Sequence, residues 1–164
     1  MQRTSFETMN CSVAQSLEVI GEWWSMLIVR DAFLGVRRFD DFQSRLGISR
    51  NILTTRLTSL VEAGVLQKVA YQERPVRHEY RLTSKGLDLW PVLTAMREWG
   101  DKWAAPDGPP IQVVHDECGE VMVLAHTCSH CGASVDHRSV HVRPGPGARP
   151  DGINAIAGTI PTRV

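Results

Sequence analysis

The sequence predicts a mainly α fold with a small β-hairpin wing, a winged helix-turn-helix, followed by a small C-terminal β-rich extension that contains cysteines. Three observations carry this reading. Apolar residues recur at three- and four-residue spacing through the first part of the chain and are punctuated by glycines. A run rich in Val, Leu and Tyr at 65–71 is followed, after a Pro-containing stretch, by the alternating run HEYRL at 78–82, which reads as two strands of a hairpin. Beyond the linker AAPDGPP (104–110) the helical period stops and Cys-Gly pairs take over.

Each element has its own justification. Val13, Leu17, Ile20, Trp24, Leu27 and Ile28 place a helical stripe over 12–34, which Gly21 divides into two helices. RRFDDFQSRL (37–46) reads as a short third helix, with Asp40 and Asp41 in the first turn where the helix dipole favours acid. Gly47-Ile48 makes a tight turn and Ser49 is a good N-cap for a fourth helix, which runs to about Ala63 and closes on Gly64. The strands at 65–71 and 78–82 enclose a loop at 72–77. Thr83 then caps one long helix to about Trp103, in which Pro91 is expected to cause a kink because its nitrogen cannot donate to the Leu87 carbonyl. The expected organisation is a winged helix-turn-helix domain over 1–104, a β-rich extension over 105–143 and a Pro/Gly-containing tail over 144–164.

The 164 residues, 43% of them apolar, suffice for one domain with an appendage. No apolar run approaches the roughly 18–20 residues of a membrane span, and the start MQRTSFETMN lacks a secretory pattern, so a cytoplasmic protein without a membrane partner is expected. Overall charge is balanced, with 18 basic and 18 acidic residues, but its distribution is not: ten Lys/Arg face five Asp/Glu between Arg37 and Lys85. Such an excess on the segment holding the fourth helix is the footprint of a DNA-binding module, although a solvated basic face has the same composition. No nucleophile–base arrangement, phosphate loop or plausible carboxylate pair is found, so an enzyme is not expected.

The fourth helix is the informative one. Advancing about 100° per residue from Ser49 puts Ile52, Leu53, Leu57, Leu60, Val61 and Ala63 on one arc. The opposite arc carries Asn51, Thr54, Thr55 and Thr58. Short side chains let a helix approach a major groove closely. Their polar atoms suit base edges, and Thr methyls suit thymine methyls. Asn51 is of the type that pairs with adenine, and Arg50 of the type that reaches a guanine or a phosphate. The bland alternative is an ordinary solvated Thr/Asn face. Arg56 falls inside the apolar arc, where a charge needs a partner, and Glu79 or Asp31 is expected to supply it. Arg74 and Arg77, with His78, flank Pro75 in the wing, and with Ser49, Arg37 and Arg38 they are the phosphate-contact candidates. Trp90, Trp99 and Trp103, with Leu93 and Met96, form an apolar stripe expected to serve core or dimer packing rather than an effector pocket.

Four cysteines stand at positions 11, 118, 128 and 131, a pattern that points to metal or redox chemistry rather than a disulfide framework. His115-Asp-Glu-Cys118-Gly and Cys128-Ser-His-Cys131-Gly repeat one pattern, ligand-x-x-Cys-Gly. Three thiolates and one imidazole suit tetrahedral zinc. The residues between, EVMVLAHT (120–127), read as one strand. At about 3.3 Å per residue a straight strand would hold the two turns apart, so a shared ion requires the chain to bend. A Cys128/Cys131 redox pair, a lost metal site and packed cysteines are the rival readings. His126, His130, His137 and His141 read as surface residues.

A Cys before the first helix, then EVIG with a following Trp, RRF, GIS, L-x-x-x-G-V, P-x-R-x-E-Y-x-L-T-x-x-G and L-x-P-V-L ending in EWG together resemble the HxlR-type transcriptional regulators over about residues 11–100. The resemblance implies a homodimeric winged-helix repressor or activator that binds double-stranded DNA at a pseudopalindromic operator, with the first and last helices building the dimer. It also implies that Cys11, at the position of a sensing cysteine in some members, responds to oxidants or electrophiles. A thiol at a helix N-terminus is the kind that can be activated. An unreactive packed Cys is the alternative. The family usually has Gly-Lys-Trp where this chain has Glu22-Trp23-Trp24, so a lysine is missing and an aromatic gained. The expected function is sequence-specific transcriptional regulation with an unknown small-molecule or redox effector, and zinc is the one cofactor the residues suggest. The rival reading is a winged-helix protein-interaction module that does not read DNA.

Overall fold

In the computed structural model, which describes residues 5–149, the first apolar repeat folds as α1 (Ser12–Ile20) and α2 (Trp23–Phe33), separated at Gly21 as expected. Helix α3 (Phe39–Leu46) carries Asp40 and Asp41 in its first turn and ends at Gly47, whose φ of 65° is the left-handed conformation that an L side chain resists. Two residues later Ser49 Oγ accepts from the Ile52 amide at 3.3 Å and starts α4 (Arg50–Glu62). The chain therefore turns between α3 and α4 through two locally encoded caps, the left-handed Gly47 that ends α3 and the Ser49 that starts α4.

Strands β1 (Leu66–Glu73) and β2 (Val76–Leu82) pair antiparallel, with Leu66 opposite Leu82 and Val69 opposite Glu79. The register slips between Ala70 and Gln72 and leaves Tyr71 as the extra residue. The hairpin is longer than the sequence reading allowed. Arg74 and Pro75 alone form the turn, across a cis peptide bond, and Arg77 lies within β2. Pro75 lacks only its own amide, so the residues on either side of it remain free to pair. Arg38 makes an isolated bridge to Glu79, and the Tyr80 amide donates to the Arg37 carbonyl at 2.8 Å. These bonds tie the wing to the residues that enter α3.

The expected long helix after the wing is two helices, α5 (Ser84–Leu87) and α6 (Trp90–Trp103). Pro91 does not kink a continuous helix. It occupies the first turn of α6, where a missing amide leaves no hydrogen bond unmade. Thr83 caps α5 by accepting from the Gly86 amide at 3.1 Å while its hydroxyl donates to the Gly64 carbonyl at 2.6 Å.

The core of the 12–93 unit gathers Ile28 and Val29 of α2, Phe42 of α3, Leu53, Leu57 and Leu60 of α4, and Val65 and Leu66 at the start of the wing. Asp31 is fully buried among them. Its carboxylate meets Arg30 at 2.8 Å and Arg45, in the last turn of α3, at 3.5 Å. No helix among the described residues is long and apolar enough to cross a membrane.

The second unit comprises, among the described residues, 9–11 and 94–149. The extension is not β-rich, contrary to expectation. Only isolated bridges join Val114 to Val121 and Thr127 to Ser134, and residues 120–127 are no strand. Two tight turns, each closed by a glycine at φ 73°, fold the chain back on its own neighbours, so this segment is shared between two small loops and finds no long partner. The final residues of the proposed tail, 150–164, lie outside the described residues.

Gly86 supports the junction of α5 and the wing. A Cβ there would run into the Val65 carbonyl and lie 2.9 Å from Leu82 Cδ2. Gly86→Ala is expected to cost about 1–3 kcal/mol by overpacking. A thermal unfolding midpoint equal to the parent's would contradict this packing.

Candidate nucleic-acid interface

Leu53, Leu57 and Leu60 expose 1% or less of their surface, which fixes the rotation of α4. The opposite side stays uncovered: Ser49, Arg50, Asn51, Thr54, Thr55 and Thr58 are all exposed. Ile52 departs from the arc assignment and is 41% exposed, because it lies at the edge of the apolar stripe in the first turn. Thr54 Oγ1 donates to the Arg50 carbonyl at 2.8 Å and Thr55 Oγ1 to the Asn51 carbonyl at 3.0 Å. Each hydroxyl proton is thus committed within the helix, a bond that threonines make to the preceding turn. What these two residues offer outward in this arrangement is an acceptor oxygen and a methyl group.

The cations flanking this face are partly engaged. Arg50 lies over the Phe39 ring with 4.7 Å to its centroid, and its Nη1 is 3.6 Å from Asp40. Arg38 lies over Tyr71 at 4.8 Å and reaches Glu79 at 4.0 Å. Arg38, Arg50, Lys68, Arg77 and His78 border one polar concavity between the start of α3 and the wing. Lys68 and Tyr71 were not singled out by sequence, since only the strand register reveals that β1 brings them there. Asp40 and Asp41 border the same concavity and temper its positive charge. Arg37 and Arg74 are exposed, and the Arg74 carbonyl accepts from Gln72 Nε2 at 3.0 Å within the turn.

Arg56 is held inside the scaffold, as its place on the apolar arc required, but by neither expected partner. Its Nη2 meets Glu22 at 3.0 Å, at the N-cap of α2. Asp31 is taken by Arg30 and Arg45, and Glu79 by Arg81 at 2.9 Å and by Arg38. Glu22 is therefore the group that neutralises Arg56. The neighbouring Trp23 is 88% exposed.

The cysteine positions lie in the second unit. Cys11 is half-buried just before α1, and its amide donates to the Met9 carbonyl at 2.9 Å. His115 Nδ1 lies 3.3 Å from Cys118 Sγ. Cys128 and Cys131 share the other turn, where the backbone amides of Cys131 and His130, and then the Cys131 thiol, lower the Cys128 pKa. The two pairs are not brought together: among the described residues no three His, Cys, Asp or Glu side chains are gathered closely enough to hold a metal.

A bare, short-chained helix face behind a tight turn, with a β-hairpin at its side, defines a winged helix-turn-helix protein. A model of the HxlR-like helix-turn-helix family matches residues 19–108. Over 137 residues the chain is 46% identical to Rv3095 of Mycobacterium tuberculosis (strain H37Rv), an uncharacterised HTH-type transcriptional regulator, covering 83% of this chain and 87% of that one. Its fold is similar to the crystal structure of PA1607, a candidate transcription factor, at 42% identity and a TM-score of 0.78, over 87% of this chain and all (100%) of that one. It is also similar to the oxidised form of the redox regulator HypR, at 32% identity and a TM-score of 0.52, over 56% of this chain and 96% of that one. The chain belongs to the HxlR-like helix-turn-helix family, which is a family of transcriptional regulators and not of enzymes.

The Arg56–Glu22 pair separates scaffold from reading face. Both side chains are partly exposed, so Arg56→Met is expected to cost no more than about 1 kcal/mol of stability. A double-mutant cycle with Glu22→Gln, read by denaturant unfolding, should show coupling of the two residues. Purely additive effects would remove the pairing role.

Proposed function

We propose that the exposed face of α4 enters the major groove of an operator, with Asn51, Thr54, Thr55 and Thr58 toward base edges and Ser49, Arg50, Arg37, Arg38, Arg74 and Arg77 toward phosphates. The observation that carries this is the bareness of that face: a row of short polar side chains opposite a fully buried leucine row, with cations on both flanks. Acceptor oxygens and methyls on Thr54 and Thr55 match the amino groups of adenine and cytosine and the methyl of thymine. The protein acts as a homodimer on a pseudopalindrome. Val13 and Leu17 on α1 and Met96, Trp99 and Trp103 on α6 are exposed apolar side chains, and burying them requires a second surface. Trp99 and Trp103 thus serve association, whereas Trp90 packs on Phe33 with 5.3 Å between ring centroids. Cys11 supplies redox or electrophile responsiveness, a reading supported by the likeness to the redox regulator HypR.

Binding to DNA from the chain's own upstream region should weaken steeply with salt, because phosphate contacts release counterions. Asn51→Ala should cost about 1–3 kcal/mol on the operator and flatten discrimination at one base position. Arg77→Ala should weaken operator and unrelated DNA alike and reduce the salt slope. Fluorescence anisotropy across a salt series distinguishes these. Salt-independent or absent binding would favour the protein-interaction module instead. For Cys11, alkylation of the parent should change operator affinity while alkylation of Cys11→Ser should not; equal responses from both would remove the sensor role.

A further inference from the structure

The operator reading leaves the cysteine extension without a task, yet its two turns are built alike to a degree that repetition of four letters does not require. In the first, the His115 amide donates to the Glu120 carbonyl at 2.9 Å, the Gly119 amide to His115 at 2.8 Å and the Met122 amide to Val113 at 2.7 Å. In the second, Cys128 donates to Ala133 at 2.8 Å, Gly132 to Cys128 at 2.8 Å and Val135 to His126 at 2.9 Å. The three bonds occupy the same relative positions in both turns, and both close on a glycine at φ 73°. Each turn presents its first and fourth residues, which are the donor residues, on one side of a tight loop.

The donors themselves are set for a cation. The backbone amides of Cys131 and His130 are hydrogen-bonded toward Cys128 Sγ, so the turn presents that sulfur among donors as a bound thiolate requires. His115 Nδ1 and Cys118 Sγ stand 3.3 Å apart. Two donors on one tetrahedral zinc, with bonds of about 2.0 Å and 2.3 Å, lie about 3.5 Å from each other. The extension also lacks what would otherwise hold it: no described residue from 104 to 149 is buried. Units this small ordinarily fold around a metal or a disulfide when they cannot fold around a core.

We propose that His115, Cys118, Cys128 and Cys131 bind one zinc ion per chain. Three thiolates and a neutral imidazole are a tetrahedral structural set, and this mixture selects zinc over harder divalent ions. Binding displaces the thiol protons, which pass to solvent, and no electrons are transferred. The ion draws together two turns that the structure closes separately. Residues 119–127 permit this because they form no strand; within them the Leu124 amide donates to Glu98 Oε1 at 2.7 Å.

The test uses the full chain, reduced, loaded with Zn2+, desalted and analysed by elemental mass spectrometry. One zinc per chain is expected in the parent and in Cys11→Ser, which lies outside the set. Cys128→Ser and Cys131→Ser should lose it at least tenfold, and His115→Ala should bind more weakly. Co2+ loading should give the strong visible bands of a tetrahedral thiolate site. Little zinc in the parent, zinc retained by Cys128→Ser, half an ion per chain shared between copies, or an octahedral cobalt spectrum would each overturn the proposal. None of these readouts involves DNA, so the operator reading stands or falls separately.

Discussion

The rest of the structure depends on the burial of one row of α4. Leu53, Leu57 and Leu60 follow helical spacing and have no exposed alternative, so the helix can sit on α2 and α3 in only one rotation. Rotating it by half a turn would bring three leucines into water and four polar side chains into the core, at about 2 kcal/mol per leucine before any cost of desolvating the threonines and asparagine. The bareness of the opposite face is therefore a consequence of core packing. Its composition, short and uncharged, is what packing leaves free to vary and what groove binding would use.

Ion pairs tie α2 to α3 and to α4 in addition to the hydrophobic row. Asp31, buried on α2, is approached by Arg45 from the last turn of α3, beside the turn that leads to α4. Glu22, at the start of α2, takes Arg56 from the middle of α4. Both pairs join α2 to one helix of the reading pair. A hydrophobic surface sets the distance between helices but tolerates sliding, whereas a carboxylate that must meet a guanidinium does not. The wing is fixed by a different means, backbone pairing through Arg37, Arg38, Glu79 and Tyr80, so Arg38 serves at once as strand partner, ion-pair member and cation over Tyr71.

What could be read from the residues alone was what is encoded locally. Gly47, Ser49 and Gly64 mark their turns because the conformations they need are properties of single residues. Helical period identified the buried side of α4 because the period is the helix's own geometry. The errors share one cause, a dependence on partners distant in sequence. Pro91 carries the same local constraint whether it interrupts a helix or begins one, and only the break after Leu87 decides which. Helical period gives Arg56 a place that needs a carboxylate but does not say which, and Asp31 and Glu79 already have arginines of their own. The concavity of Arg38, Arg50, Lys68 and Arg77 depends on a strand register that the bulge at Tyr71 shifts by one residue.

The extension shows the same limit from the other side. EVMVLAHT has the apolar, valine-rich content of a strand, but that content favours a strand only where a partner strand is present. Here the chain on either side is consumed by two glycine-closed turns, so each end of the segment pairs with its own neighbour for a single bridge and the middle finds no sheet. The turns are nonetheless the ordered part. Their hydrogen bonds are all internal and lie within ten residues, so they form without a core, as short-range contacts can when closure entropy is small. A segment in which the turns are regular and the connection between them is not is organised around the turns. Each turn carries two sulfur- or nitrogen-bearing side chains, His115 and Cys118 in one and Cys128 and Cys131 in the other.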